Sequence, residues 1–173
     1  GVRYNTTTGY KFVMSVMKKE PFGQRIIRDI KMSDAKLWFI KLYDDGYSYS
    51  TIASIRGVVK PAFQMAYTED IIRRNPFEFR LDIIPNNTQK RVALSQKQQE
   101  QFLEFTKNDK HFCRYLDEIK ILLGTGMRIS ELCGLTIADL DFDRRRIRVD
   151  HQLVRTQDGK RYIEKTKTEC GCR

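Results

Sequence analysis

A tight glycine turn, followed by an arginine and a glutamate, is the feature of this sequence best suited to chemistry. Gly124-Thr125-Gly126 leads through Met127 to Arg128, and Glu131 follows three residues later. An arginine side chain is planar, keeps its charge near neutral pH and can bind two phosphate oxygens at once. Glu131 should lie one helical turn along, on the same face, where it can hold the guanidinium. The pattern favours transfer at a phosphodiester, where charge develops on phosphate oxygens.

A simpler explanation of this pair is an ordinary exposed ion pair at a helix start. A positive charge is mildly unfavourable there, because it opposes the helix dipole. The phosphate-binding interpretation of Arg128 is therefore the better one.

Further basic residues form clusters that could contact a polyanion. The densest run spans residues 144–146, where a helix should give way to a strand, and no aromatic side chain interleaves it for base stacking. A solvated turn is the simpler explanation of this run. The DNA-binding candidates are Arg56, Lys60, Arg73, Arg74, Lys90, Arg91, Arg144, Arg145 and Arg146.

Composition also favours a polyanionic partner. The chain has 32 Lys and Arg residues against 22 Asp and Glu, a formal net charge of +10 and a pI near 9.5, which favours nucleic acid over an anionic membrane surface. No apolar run approaches the roughly 20 residues of a membrane span, and the first residues lack the apolar core of a signal peptide. We expect a cytoplasmic protein that does not enter membranes.

The four cysteines do not form a metal-binding pattern. Only Cys170 and Cys172 are close together, and the two histidines do not complete zinc-finger spacing. No metal site is therefore expected. Cys113 and Cys133 lie in apolar helical stretches and should be small buried side chains.

The first half of the chain has helical periodicity. The threonines at 6–8 offer N-caps for an amphipathic first helix, and a second helix should start at Ser33 and stop at Asp44-Asp45-Gly46. Within the second helix, the Trp38-Phe39 pair is expected to lie in the core.

The next segment contains a helix breaker. A helix should open at Ser50 or Thr51, and Pro61 removes one backbone hydrogen bond and clashes with the preceding turn. We expect a kink there, or two helices that meet. A short helix around Ile71-Ile72 should end before Asn75-Pro76.

A polar, turn-rich stretch separates two parts of the chain. Residues 85–93 have few apolar anchors and are the predicted linker between a helical domain at 1–84 and a second domain at 94–173. Both parts carry more basic than acidic side chains, so together they could clamp a long polyanion.

The second part begins with helices. Ser95 and Gln98 predict a capping box for one helix. Another helix, with apolar residues from Phe112 to Leu123, should close at the glycine turn, and a short third should span residues 129–138.

The periodicity then changes to that of strands. Ile147, Val149 and Leu153 predict one strand, and Asp158-Gly159 predicts a turn into a second strand at Tyr162-Ile163. The fold class is therefore α+β, with an all-α domain followed by helices packed beside a small antiparallel sheet.

The segment 123–142 resembles the first catalytic box of the tyrosine recombinases, the phage-type integrases. The glycine turn, Arg128 and Glu131 are followed by Leu-x-x-Leu at 132–135 and by Asp-Leu-Asp at 139–141. Thr166-Lys167-Thr168 resembles the hairpin on which this family keeps a catalytic lysine. The stretches at 150–153 and 167–173 resemble those of conjugative-transposon integrases, and the helical half resembles their core-site-binding domain.

The resemblance implies an enzyme that cuts and rejoins DNA through a 3′-phosphotyrosyl intermediate, for integration and excision of a mobile element. Its partners would be double-stranded core sites and further copies of itself, a tetramer on DNA, and it needs no metal or nucleotide cofactor. Arg128 and Lys167 are implied as catalytic and Glu131 as supporting. Lys165 is an alternative to Lys167, because alternation places both on one face of the strand.

The sequence departs from the family in one respect. A His-x-x-Arg box, a further His or Trp and the nucleophilic tyrosine would follow the hairpin, and none of the eight tyrosines here has the nucleophile's context. We therefore expect this chain to stop before the nucleophile and to bind DNA without cleaving it. Two alternatives are a non-catalytic DNA-binding regulator that occupies core sites and, less consistent with the box, an RNA-binding helical protein.

Overall fold

The chain divides into two compact units, Gly1–Arg91 and Val92–Arg173. The computed structural model describes residues 2–166. Over that range the first unit is helical, and the second combines helices with small antiparallel sheets. The predicted α+β class is confirmed.

Three helices form the first unit: α1 at Tyr4–Lys19, α2 at Met32–Asp44 and α3 at Tyr49–Thr68. Short 3-10 turns at Pro21–Gln24, Ile27–Asp29 and Leu81–Ile83 connect and follow them. The core is rich in aromatic side chains that pack around Trp38 and Phe39, as predicted for this pair. Phe22 stacks on Trp38 with ring centroids 4.5 Å apart, and Phe77 contacts both Trp38 and Phe39.

The predicted capping of α1 is wrong. The helix starts at Tyr4 with Arg3 as its N-cap, so the threonines at 6–8 lie inside it. The hydroxyls of Thr7 and Thr8 donate to the carbonyl oxygens of Arg3 and Tyr4. A threonine hydroxyl can bind the carbonyl four residues earlier without ending a helix. α2 begins one residue before the predicted Ser33 and ends as expected, with Gly46 at φ 93°.

α3 is a single helix that continues through Pro61, so the alternative of two helices is wrong. Its N-cap is Ser48, whose hydroxyl accepts from the N–H of Thr51. Val59 and Phe63, on either side of the proline, are both buried in the same core. Burial of both side chains offsets the hydrogen bond that proline removes.

The short helix predicted around Ile71-Ile72 is absent from the described residues, which have turns there. The N–H groups of Ile71 and Ile72 both point back to the carbonyl oxygen of Ala66, and Asp70 adopts a positive φ of 55°. These bonds close the end of α3, so the chain reverses instead of starting a new helix.

The helices of the second unit are α4 at Gln96–Asn108, α5 at Leu116–Thr125 and α6 at Ile129–Leu132. The Ser95–Gln98 capping box is confirmed, with Gln98 Oε1 accepting the N–H of Ser95 at 2.9 Å. α5 starts later than predicted, because a 3-10 turn at Cys113–Tyr115 precedes it.

α6 ends six residues before the predicted Ala138, and a 3-10 turn follows at Ile137–Asp139. Gly134, which follows α6, lies so close to the strand at His151–Arg155 that a Cβ at this position would come 3.0 Å from the backbone nitrogen of Leu153. A side chain at Gly134 would therefore require that strand to shift by a few tenths of an ångström.

The strands form two separate antiparallel pairs. β1 at Leu140–Asp141 pairs with β2 at Arg146–Ile147, and β3 at His151–Arg155 pairs with β4 at Arg161–Lys165. The single strand predicted through residues 147–153 is wrong, because β2 ends at Ile147, residues 148–150 have no regular structure, and β3 begins only at His151. The predicted turn at Asp158-Gly159 is confirmed, with Gly159 at φ 82°.

The two described cysteines are not buried as expected. Cys113 lies in the 3-10 turn before α5, Cys133 is the C-cap of α6, and both are exposed. The apolar neighbours in the sequence had suggested that both cysteines lie on the inward face of a helix. Instead, both lie at helix ends.

Candidate active site

The turn that carries Arg128 is built by its neighbours. Gly126 ends α5 in the left-handed conformation at φ 65°, and the N–H of Met127 binds the hydroxyl of Thr125. Met127 is buried and anchors the turn, whereas Arg128 is extended and serves as the N-cap of α6. Since glycine adopts a positive φ without strain, this arrangement presents the arginine side chain outward.

Glu131 holds Arg128 in two ways. One carboxylate oxygen accepts the backbone N–H of Arg128 at 2.9 Å, and the other accepts the guanidinium at 2.6 Å. The Glu131 side chain is 2% exposed and that of Arg128 is 66% exposed. A buried carboxylate therefore fixes one side of the guanidinium while most of it faces solvent, which suits an arginine that binds an external anion.

Of the two hairpin lysines, Lys167 lies outside the described residues. Lys165 is the last residue of β4, is exposed, and pairs across the ladder with His151. The next residue, Thr166, is buried, and its backbone N–H donates to the carbonyl oxygen of Asp150 at 3.1 Å. Backbone pairing thus fixes the base of the hairpin up to Thr166.

Three contacts join α6 and its exit to β3. The hydroxyl of Ser130 donates to the side-chain carbonyl of Gln152 at 3.2 Å, and Gly134 lies against Leu153. The third contact joins Nε2 of His151 to the carbonyl oxygen of Gly134 at 2.8 Å. The arginine turn and the β3–β4 hairpin are therefore parts of one packed structure.

Sequence reasoning missed the charged cluster around His151. Its Nδ1 lies 2.6 Å from the carboxylate of Asp150, and its Nε2 lies 3.6 Å from that of Asp139. The guanidinium of Arg148 lies 3.6 Å from Asp139 and 3.3 Å from Asp150. The Asp-His pair was visible in the sequence, but the partners that make it a cluster come from the 3-10 turn and from Gly134.

The cluster changes the acidity of two of its members. The hydrogen bond that the His151 ring donates to the carboxylate of Asp150, followed by the one it donates to the carbonyl oxygen of Gly134, raises the pKa of His151 above its ordinary value. Two hydrogen bonds from Thr136, through its hydroxyl and its backbone N–H, lower the pKa of Asp139. The surroundings of His151, with a carboxylate near each ring nitrogen, therefore favour the charged form of the imidazole.

Asp139, Asp150 and His151 also place three potential metal ligands within 4.8 Å of one another. A histidine binds a metal ion through a ring nitrogen that carries no proton. Both nitrogens of His151 face oxygen acceptors, so metal binding would break one of these hydrogen bonds. The contacts favour a hydrogen-bonded ion cluster.

The predicted DNA-binding residues of the first unit have different surroundings. The guanidinium of Arg56 donates to the carbonyl oxygens of Phe77 and Phe79, and Lys60 pairs with Glu78 at 2.7 Å. Arg73 and Arg74 are exposed and line an open groove beside Tyr67, and Lys90 and Arg91 are exposed in a segment without regular structure. Arg56 thus also has a role within the fold.

The predicted basic run of the second unit forms the turn between β1 and β2. Arg145 adopts a positive φ of 52°, and Arg144 folds back on Asp141, which accepts its backbone N–H at 2.9 Å. Arg146 pairs with Asp141 in the ladder. All three arginines are exposed, so the turn presents a concentrated positive charge to solvent.

Comparison with known proteins gives consistent matches. The family model described as the phage integrase family matches residues 93–170. The transposase from transposon Tn916 of Enterococcus faecalis is 44% identical over 171 residues, 98% of this chain and 42% of that protein. Tyrosine recombinase XerC of Bacillus subtilis is 28% identical over 145 residues, 80% of this chain and 47% of that protein.

Solved structures of a transposon integrase match the whole fold. The Tn1549 integrase in complex with a circular intermediate DNA superposes with a TM-score of 0.94 at 43% identity, over 100% of this chain and 55% of that one. The same integrase with transposon right end DNA also gives 0.94. This chain spans about half the length of the relatives it matches. No helix within residues 2–166 is long and apolar enough to cross a membrane.

Proposed function

Because the chain belongs to the phage integrase family of tyrosine recombinases, we propose that it binds the core sites of a mobile element and supplies catalytic residues for cutting and rejoining DNA. The observation that carries the proposal is the Arg128–Glu131 pair, with its exposed guanidinium and buried carboxylate. The matching structures of Tn1549 integrase contain DNA, which supports duplex DNA as the ligand. Integration and excision of a conjugative transposon is the corresponding process.

In this mechanism a tyrosine attacks the scissile phosphate, forms a 3′-phosphotyrosyl bond and releases a 5′ hydroxyl, and rejoining reverses these steps. Arg128 binds the nonbridging oxygens, where negative charge increases in the transition state. Glu131 fixes the guanidinium beforehand, so little reorganisation is needed during the reaction. Lys167 follows the hairpin base and is proposed to protonate the departing 5′ oxygen. No metal or nucleotide cofactor enters these steps.

For the chain as a whole, we propose a clamp on DNA. The helical domain at 1–84 contacts core-site DNA, residues 85–93 link it to the catalytic part at 94–173, and both parts contribute phosphate contacts. Recombination between two sites requires two cleavages at each, so copies assemble on DNA as a tetramer. None of the eight tyrosines has the nucleophile's sequence context, and residues 1–173 alone are therefore proposed to bind without cleaving.

A nicked core-site duplex tests both parts of the proposal. Residues 1–173 should shift the duplex in native gels and leave no covalent band in denaturing gels. A complete recombinase carrying these residues should give the covalent band. A covalent band from residues 1–173 that disappears on changing one of their own tyrosines to phenylalanine would refute the assignment. Absence of duplex binding would refute the DNA-binding proposal.

A further inference from the structure

His151 is the first residue of β3 and bridges two segments beside the candidate site. Its Nε2 is 2.8 Å from the carbonyl oxygen of Gly134, in the segment that leaves α6. Its Nδ1 is 2.6 Å from the carboxylate of Asp150. The side chain is only 18% exposed. One ring therefore contacts both the exit of the arginine helix and the start of the hairpin.

Asp150 and His151 also contact β4, the second strand of the hairpin. The carbonyl oxygen of Asp150 accepts the N–H of Thr166 at 3.1 Å, and His151 pairs with Lys165 in the ladder. In the other direction, the N–H of Gly134 donates to the carbonyl of Glu131 at 3.0 Å. A continuous set of hydrogen bonds thus runs from the Arg128–Glu131 pair through Gly134, His151 and Asp150 to Thr166.

The contacts require the charged form of the ring. A neutral imidazole has one N–H, whereas the imidazolium has two and can donate to Gly134 and Asp150 together. The charged groups around His151 are Asp139 and Asp150, with Arg148 between them, Lys165 across the ladder, and Glu131 on the adjacent helix α6. Two nearby carboxylates outweigh the one shared arginine, which agrees with the raised pKa of His151.

We propose that protonated His151 is a positioning residue that locks the base of the β3–β4 hairpin to the Arg128 turn. Loss of its proton leaves one of the two contacts without a donor, so the hairpin base loosens up to Thr166, the residue before the proposed general acid. The importance of this lock for catalysis rests on the proposed function. The lock itself is a property of the second unit and needs no DNA.

NMR on residues 1–173 without DNA tests the lock. His111→Gln leaves one histidine and is the reference protein, because His111 lies in a different, exposed turn. In this reference the ring of His151 should titrate above the ordinary pKa of 6.5. Hydrogen exchange of the Thr166 amide, corrected for its intrinsic pH dependence, should become about tenfold faster as pH rises through that titration.

Two further variants decide the outcome. His151→Gln in the reference background should lower the protection of Thr166 about tenfold at neutral pH and remove its titration. Asp150→Asn keeps the backbone carbonyl that binds Thr166 but removes the charge facing Nδ1 of His151. The titration of His151 and the loss of Thr166 amide protection should therefore both move to lower pH.

Equal protection of Thr166 with and without His151 would overturn the proposal, as would a His151 titration at or below the ordinary value. If His151→Gln does not fold, Asp150→Asn decides, and an unshifted titration overturns the proposal. Since DNA is absent throughout, the lock and the recombinase assignment can fail independently.

Discussion

The buried carboxylate of Glu131 accepts hydrogen bonds from both the backbone and the guanidinium of Arg128, at 2.9 and 2.6 Å. The first bond caps helix α6, and the second orients the side chain. Stability of the turn and orientation of the proposed catalytic group therefore depend on the same residue.

Glu131→Ala should destabilise the second unit by about 2 kcal/mol, because it removes a helix cap and an ion-assisted hydrogen bond. Glu131→Gln should lose less stability, since an amide oxygen can still accept the N–H of Arg128 and cap the helix. Urea unfolding followed by amide resonances of the second unit measures both. Glu118→Gln, an exposed glutamate of α5, is the control and should change stability by less than about 0.5 kcal/mol. A Glu131→Ala protein as stable as the control would show that the pair does not support the turn.

The pH at which acid protonates Asp139 and weakens its contacts should depend on the hydrogen bonds from Thr136. The folded-state pKa of Asp139 is lowered, so its contribution to stability is present above the ordinary value of 3.8 and is lost as pH falls through the lower folded value. Thr136→Val removes the hydroxyl bond and should move that loss to higher pH. Carbon NMR of the Asp139 carboxyl measures the titration, and Thr68→Val in the first unit is the control. An unchanged Asp139 titration in Thr136→Val would contradict the assigned cause.

DNA affinity of residues 1–173 should fall steeply with salt, since each neutralised phosphate releases counterions. For about 6 phosphate contacts, the slope of log K against log salt is about −5. Fluorescence anisotropy with a core-site duplex measures it, and residues 1–88 alone should give a clearly smaller slope. Equal slopes for the piece and the whole chain would contradict the clamp.

A sulfur substitution in the DNA separates acid catalysis from phosphate binding. In a complete recombinase, Lys167→Ala should cleave ordinary DNA slowly but recover most of its rate on DNA with a 5′ bridging sulfur, because a thiolate leaves without protonation. Arg128→Ala should stay slow on both substrates, and Lys165→Ala should be near normal. Single-turnover cleavage rates on both substrates provide the measurement. Recovery by Lys165→Ala instead would place the general acid two residues earlier.

The parts of the fold that depend on local sequence were predictable, and the parts that depend on distant contacts were not. The capping box at Ser95, the turn at Gly159 and the Arg128–Glu131 pairing each follow from residues within a few positions. Continuation of α3 through Pro61 depends on burial against other helices.

The His151 cluster shows the same limit within the candidate site. Gly134 is 17 residues away from His151 in the sequence, and Asp139 ends a 3-10 turn that was not predicted. A histidine with no zinc-finger spacing gave no sign of these partners. Only the folded chain brings the two carboxylates and the carbonyl around one ring.

The central claim is that Arg128 stabilises the transition state of strand cleavage, and single-turnover cleavage of a nicked core-site duplex by a complete recombinase tests it most directly. Arg128→Ala should reduce the cleavage rate by about 100-fold to 1,000-fold, by analogy with removal of one oxyanion-binding group. DNA affinity, measured in parallel, should remain close to that of the unchanged protein, because other basic residues supply most phosphate contacts. Cleavage by Arg128→Ala at the unchanged rate would contradict the account.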